Sequence, residues 1–161
     1  MNFRLSSKDL NDRGTLPEAQ VLNGMGYTGG NRSPHLAWEG APEGTKSFVV
    51  TCYDPDAPTG SGWWHWVVIN IPGTAKELPA GSGSGEGLPA GALQTRTDFG
   101  APGYGGAAPP AGGTHHYIFT INALKVDKLE LDAQASAALV GFMVYMNSLG
   151  KATLTVTYTG K

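Results

Sequence analysis

At 161 residues the chain is long enough to bury a hydrophobic core, and one domain spanning 1–161 is expected. Hydrophobic residues make up 40% but charged residues only 15%, against roughly 25% in an ordinary domain, so the surface must be sparsely charged and a homodimer comes into consideration. The net charge of −2, with its eleven Lys and Arg scattered, supplies no positive stripe to displace counterions, which argues against nucleic-acid binding.

The N-terminal stretch MNFRLSSKD has no apolar signal core, and no segment approaches membrane-spanning length. Cytoplasmic localisation without integral membrane association is therefore expected. Ser47–Tyr53 is a β-branched and aromatic run, predicting a strand that stops at Asp-Pro. It holds the single cysteine, Cys52, which can form no internal disulfide and reads as a small buried hydrophobe. His65–Ile71 predicts a second strand, ended by Pro72. Ala80–Gly91 reads as a mobile surface linker. Gly100–Gly113 differs, because its glycines would let backbone approach a ligand while Pro109-Pro110 stiffens the wall.

His115–Val126 predicts the longest strand, and Ala152–Thr159 a closing one. Between them lies one expected helix, with Asp132 as N-cap, Ala135, Leu139, Phe142, Met143 and Met146 at helical spacing, and Gly150 as the stop. The stripe of Phe142, Met143 and Met146 is expected in the core. Strands without regular helical alternation point to a mainly β sandwich or barrel-like domain and away from a doubly wound fold.

Three segments could carry chemistry. Asp54-Pro55-Asp56-Ala57-Pro58 holds two carboxylates in a rigid bend at a strand's end. Gly60–Trp66 gathers three tryptophans around His65, which strict alternation puts on the face of Val67, Ile69 and Ile71, opposite Trp66 and Val68. Thr114-His115-His116-Tyr117 alternates likewise, so His115 and Tyr117 share a face and His116 takes the other. A Gly-x-Ser-x-Gly elbow, a phosphate loop, His-Glu-x-x-His and Cys-x-x-Cys are all missing from the sequence.

Taken together, DPDAP, the tryptophan-rich segment ending on a strand histidine, and the PP and Gly-rich step to His-x-Tyr resemble the phosphatidylethanolamine-binding proteins, in their bacterial Raf-kinase-inhibitor-like branch. Asn31–Trp38 (NRSPHLAW) and Leu93–Gly100 (LQTRTDFG) extend the match, which runs from about Phe3 to Thr159. The resemblance implies a phosphatidylethanolamine-binding-protein-like antiparallel Greek-key β-sandwich, with a few short helices and one C-terminal helix. It also implies an anion pocket at the strand ends. Asp54, Asp56, Ala57 and Pro58 would form one wall, Trp63 and His65 a second, and Pro109, Pro110, His115 and Tyr117 the rest.

The expected ligand is a small anion: phosphate, a phosphorylated head group or a carboxylate. Two imidazoles and the Tyr117 hydroxyl would offer donors to it, and Asp54 would accept from one imidazole and fix its tautomer. Affinity should then rise as pH falls below about 6.5. His116 stands where the family commonly has Arg, and alternation turns it away from the pocket. The resemblance implies a non-catalytic protein without cofactor or metal, regulatory through protein partners. The alternatives are a serine peptidase or kinase inhibitor working through exposed loops such as Gly100–Gly113, or an enzyme using Asp54, His65 and His115 as acid–base groups or metal ligands.

Overall fold

The computed structural model describes residues 2–161; Met1 lies outside the described residues. Ten strands occur in chain order: β1 (Arg4–Ser6), β2 (Asn23–Gly24), β3 (Tyr27–Thr28), β4 (Leu36–Glu39), β5 (Ser47–Asp54), β6 (Trp63–Pro72), β7 (Glu77–Leu78), β8 (Leu93–Gln94), β9 (Thr114–Leu124) and β10 (Ser148–Thr159). One α-helix, α1 (Ala137–Asn147), precedes β10. A five-stranded sheet runs β10-β9-β5-β6-β8, a three-stranded sheet runs β1-β4-β7, and β2-β3 is a separate hairpin. Every pairing between these strands is antiparallel. The expected mainly β sandwich with one C-terminal helix is the fold observed.

The core lies between the two sheets. Phe48, Val50, Trp66, Val68, Phe119 and Ile121 project from the large sheet against Leu5, Leu36, Trp38 and Leu78 from the small one. The opposite face of the large sheet is covered by α1, with Val49, Val67 and Ile69 packed against Val140 and Val144. Because both faces of β5 and β6 are covered, their sequences read as continuous apolar runs and not as alternation.

That double burial hides two interruptions in β6. Cys52 pairs with Trp66 and Tyr53 with Trp64, so His65 is an extra residue, a β-bulge. Phe48 pairs with Ile71 and Val50 with Val68, and the second surplus residue, Asn70, has a φ of 59°. Alternation therefore does not hold along this strand. Ile71 joins Trp66 and Val68 in the core between the sheets, while Val67 and Ile69 face the helix. The expected placement of His65 with Val67 and Ile69, opposite Trp66 and Val68, is thus corrected: His65 packs beside Tyr117, whose ring belongs to the inter-sheet core with Trp66, Val68 and Ile71.

The helix also departs from expectation. Its N-cap is Ser136, whose hydroxyl accepts from the Leu139 N–H at 3.1 Å. Asp132 instead closes the preceding turn by accepting from Gln134 N–H. Its buried side is Ala137, Val140 and Val144, with Met143 partly buried against that cluster, whereas Phe142 is 60% and Met146 54% exposed, so of the expected stripe only Met143 packs on the core. Gly150 sits inside β10 next to a register shift, and Ser148 ends the helix. Ala80–Gly91 is only partly a surface linker: Ser82 and Gly83 are buried, and Gly83 N–H donates to Ser33 Oγ at 2.7 Å. No described helix is long and apolar enough to cross a membrane.

Candidate functional site

Antiparallel order puts the end of β5 between the starts of β6 and β9, with Tyr53 opposite both Trp64 and Ile118. Residues far apart in sequence thereby meet at one edge of the sandwich. A pocket of ≈ 200 Å³ opens there. Asp54, Ala57 and Pro58 line it from β5 and the following turn, Trp63 and His65 from β6, and His115 and Tyr117 from β9. Pro109 and Pro110 close the remaining wall. Of the ten residues expected to form the site, nine are brought together.

Asp56 is the exception. Its Oδ2 accepts from both the backbone N–H and the Nδ1–H of His116, each at 2.7 Å, on the outer side of the strand. These bonds hold its carboxyl below the usual carboxylate range. His116 is exposed and turned away from the pocket, as alternation required, and it pairs Asp56 despite lacking the guanidinium of the family pattern.

At the pocket floor the polar groups are tightly arranged. His115 Nδ1–H donates to Asp54 Oδ2 at 2.7 Å, and Asp54 Oδ1 accepts the Asp56 N–H at 2.7 Å. Both His115 and Asp54 are buried. His65 Nδ1 lies 2.8 Å from the Gly105 carbonyl oxygen, which can only accept, so this nitrogen carries the proton. Burial pushes the His65 imidazole below the ordinary histidine value, with the Gly105 bond and the charge of Asp54 opposing it. The ring stacks edge-on against Tyr117 at 5.3 Å and Phe99 at 5.5 Å.

Two donors on residues that line the pocket have no protein partner. The Tyr117 hydroxyl and the Trp63 indole N–H are both buried and unbonded among the described residues. Burial, reinforced by the charge of Asp54, pushes the Tyr117 hydroxyl far above its ordinary value, so it stays protonated. Buried polar groups are normally satisfied. Both belong to residues that line the hollow, and each of the two atoms is itself covered.

Four lining residues escaped the sequence reading: Met25, Thr59, Phe99 and Ala108. Phe99 is delivered by the turn after β8, where Asp98 bonds the backbone of Trp64 through both its N–H and its carboxylate. Met25 tips the β2-β3 hairpin, with a φ of 52° and 72% exposure. The two-residue turn is Met25-Gly26, both at positive φ, and nothing in sequence tied that hairpin to the pocket. The Gly100–Gly113 tract is not a free loop, since Tyr104, Gly105, Gly106 and Ala107 are buried and Gly105 N–H donates to the His65 carbonyl. No group of three His, Cys, Asp or Glu residues with metal-holding geometry occurs among the described residues. Cys52 is buried, and its thiol is pushed well up by that burial, so it is an inert part of the core.

The sequence matches the family model for phosphatidylethanolamine-binding protein over residues 6–159. It is 59% identical to UPF0098 protein YbhB of Escherichia coli K12 over 158 residues, covering 98% of this chain and 100% of that one. The crystal structure of E. coli YbcL, described as a new member of the mammalian PEBP family, superposes with a TM-score of 0.96 at 51% identity, covering 99% of both chains. A phosphatidylethanolamine-binding protein from Plasmodium vivax shares the fold at a TM-score of 0.61 and 17% identity, over 100% of this chain and 87% of that one. With the family model matched almost end to end and the YbcL fold reproduced, the chain belongs to the phosphatidylethanolamine-binding protein family.

Proposed function

We propose that the protein is a non-catalytic binder of small phosphorylated or carboxylate anions, acting in the cytoplasm through protein partners. The observation that carries this reading is the convergence of His65, His115, Tyr117 and Trp63 with Asp54 on one hollow at the strand ends. At ≈ 200 Å³ the hollow is smaller than the roughly 300–1,000 Å³ of drug-sized sites, so it suits a head group or free anion and not a lipid body. Catalysis is disfavoured because no side chain with an activated nucleophile lines it. Titration calorimetry with phosphate and acetate tests the reading. Saturable binding to wild type, abolished by joint His65→Ala and His115→Ala substitution, is expected; binding retained by the double variant contradicts it.

A homodimer fits a second observation. Helix α1 contains no charged residue, and Phe142, Tyr145 and Met146 stand exposed on it. Sedimentation equilibrium should show self-association that Tyr145→Glu weakens; a strictly monomeric wild type removes this part of the proposal.

A further inference from the structure

Away from the pocket, one histidine ties three separate segments together. His35 stands just ahead of β4 and is buried, with 8% exposure. Its Nε2 lies 3.0 Å from Glu77 Oε1 on β7, and its Nδ1 lies 3.1 Å from the backbone nitrogen of Lys8. Its own backbone N–H donates to Asp9 Oδ2 at 2.7 Å. Lys8 and Asp9 belong to a tight turn at residues 7–10, where Ser7 Oγ accepts from the N–H groups of both Asp9 and Leu10.

The Lys8 bond fixes the state of the ring. A backbone N–H can only donate, so Nδ1 is a bare acceptor and the ring proton sits on Nε2, where it donates to the Glu77 carboxylate. The ring is therefore neutral in this arrangement. A second proton can enter only at Nδ1, and there it meets the Lys8 N–H, donor against donor. The Glu77 bond survives that change, because Nε2–H is present in both states. The ring stays anchored to β7, and only its hold on the turn is lost. Ser7 Oγ cannot take over the Lys8 N–H, since it already serves two donors. The titratable groups packed around the ring are Glu77 from β7 and, from the turn, Asp9 and the exposed Lys8. Two carboxylates thus stand ready to balance the charge of an imidazolium.

We infer that His35 is a proton-operated latch on the N-terminal turn: the neutral ring holds residues 7–10 down, and the imidazolium lets them go. The movement is bounded on both sides. Before the turn, β1 is paired with β4 through Leu5 and Trp38. After it, the Arg13 and Leu16 N–H groups donate to the Thr155 and Thr157 carbonyls, bonds with no ionisable member. Between these anchors Leu10 is a core residue, so opening the turn bares an apolar side chain to solvent in acid.

Hydrogen exchange followed by NMR between pH 7.5 and pH 5 tests the latch, since histidine is the side chain that ordinarily changes charge in that range. Ring ¹⁵N shifts of the wild type should show Nε2 protonated and Nδ1 bare at the upper end. Protection of the Lys8 amide, corrected for its intrinsic rate, should fall by about tenfold as the His35 ring titrates, the worth of one hydrogen bond. The Arg13 and Leu16 amides should keep theirs. In His35→Asn, whose amide oxygen can replace Nδ1 as acceptor but does not titrate, Lys8 should be equally protected at both ends. A wild-type Lys8 amide that is indifferent to the His35 titration overturns the inference, as does a ring that stays neutral throughout or that carries its first proton on Nδ1. Loss of Lys8 protection in acid that persists in His35→Asn overturns it too.

Discussion

Oδ2 of Asp54 and Nδ1 of His115 lie 2.7 Å apart although 61 positions separate them in the chain, and both residues are buried. The contact orients the ring and assigns its tautomer, in the way a carboxylate orients a ligating or catalytic histidine. It exists because β5 and β9 are antiparallel neighbours, so the end of one meets the start of the other.

Asp54→Asn tests that role. The amide can still accept the Asp56 N–H, so the bend should persist, but the charge fixing His115 is gone. Phosphate affinity should fall by about tenfold, the scale of a hydrogen bond to a charged group, with an unchanged far-ultraviolet circular dichroism spectrum. Unaltered affinity measured by calorimetry would show that the pair is structural only.

Tyr117→Phe should separate stability from binding. The hydroxyl is buried without a partner, a state costing about 1–3 kcal/mol. Its removal should leave the urea midpoint unchanged or raised while weakening phosphate binding by about tenfold. A purely structural hydroxyl would give the opposite pattern, with lower stability and equal affinity.

Acid should weaken the free protein through His65. Its folded value is depressed by burial, so between that value and the unfolded value of about 6.5 the unfolded chain binds more protons. The stability contributed is complete above about pH 6.5 and drains as pH falls through the folded value. Urea denaturation should give a lower midpoint at pH 5.5 than at pH 7.5, and His65→Gln should reduce that difference. An identical difference in the variant would assign the acid sensitivity elsewhere.

The Asp56–His116 pair is expected to matter little for the pocket. Its carboxyl is held low, so its contribution is present above the unfolded carboxylate value of about 3.9 and is lost as pH falls through the folded one. The pair is largely solvated, which limits it to about 0.2–1 kcal/mol. Asp56→Asn should lower stability within that range and leave phosphate affinity unchanged. A large loss of affinity would return Asp56 to the site.

What could be read from sequence follows what periodicity can express. The strands at Ser47–Tyr53 and His115–Val126 were legible because β-branched residues, turn residues and proline mark their limits. His115, His116 and Tyr117 were placed on their correct faces because the start of β9 alternates without interruption. His65 was misplaced because it is itself the bulged residue of β6, and a strand buried on both sides carries no pattern that reveals a bulge. Helix α1 is apolar all round, so spacing could not tell its buried Val140 from its exposed Phe142. Met25 and Phe99 reach the pocket through long-range docking of a hairpin and a turn, which local sequence does not encode.

Imidazole-resolved ¹H–¹⁵N spectroscopy during a phosphate titration addresses the pocket most directly. The Nε2 resonances of His65 and His115 should move together to one saturation point, while His35, bonded to Glu77 on another face, stays still. Rings at 65 and 115 that ignore phosphate up to saturation of any other signal, or that move no more than His35, would contradict the account.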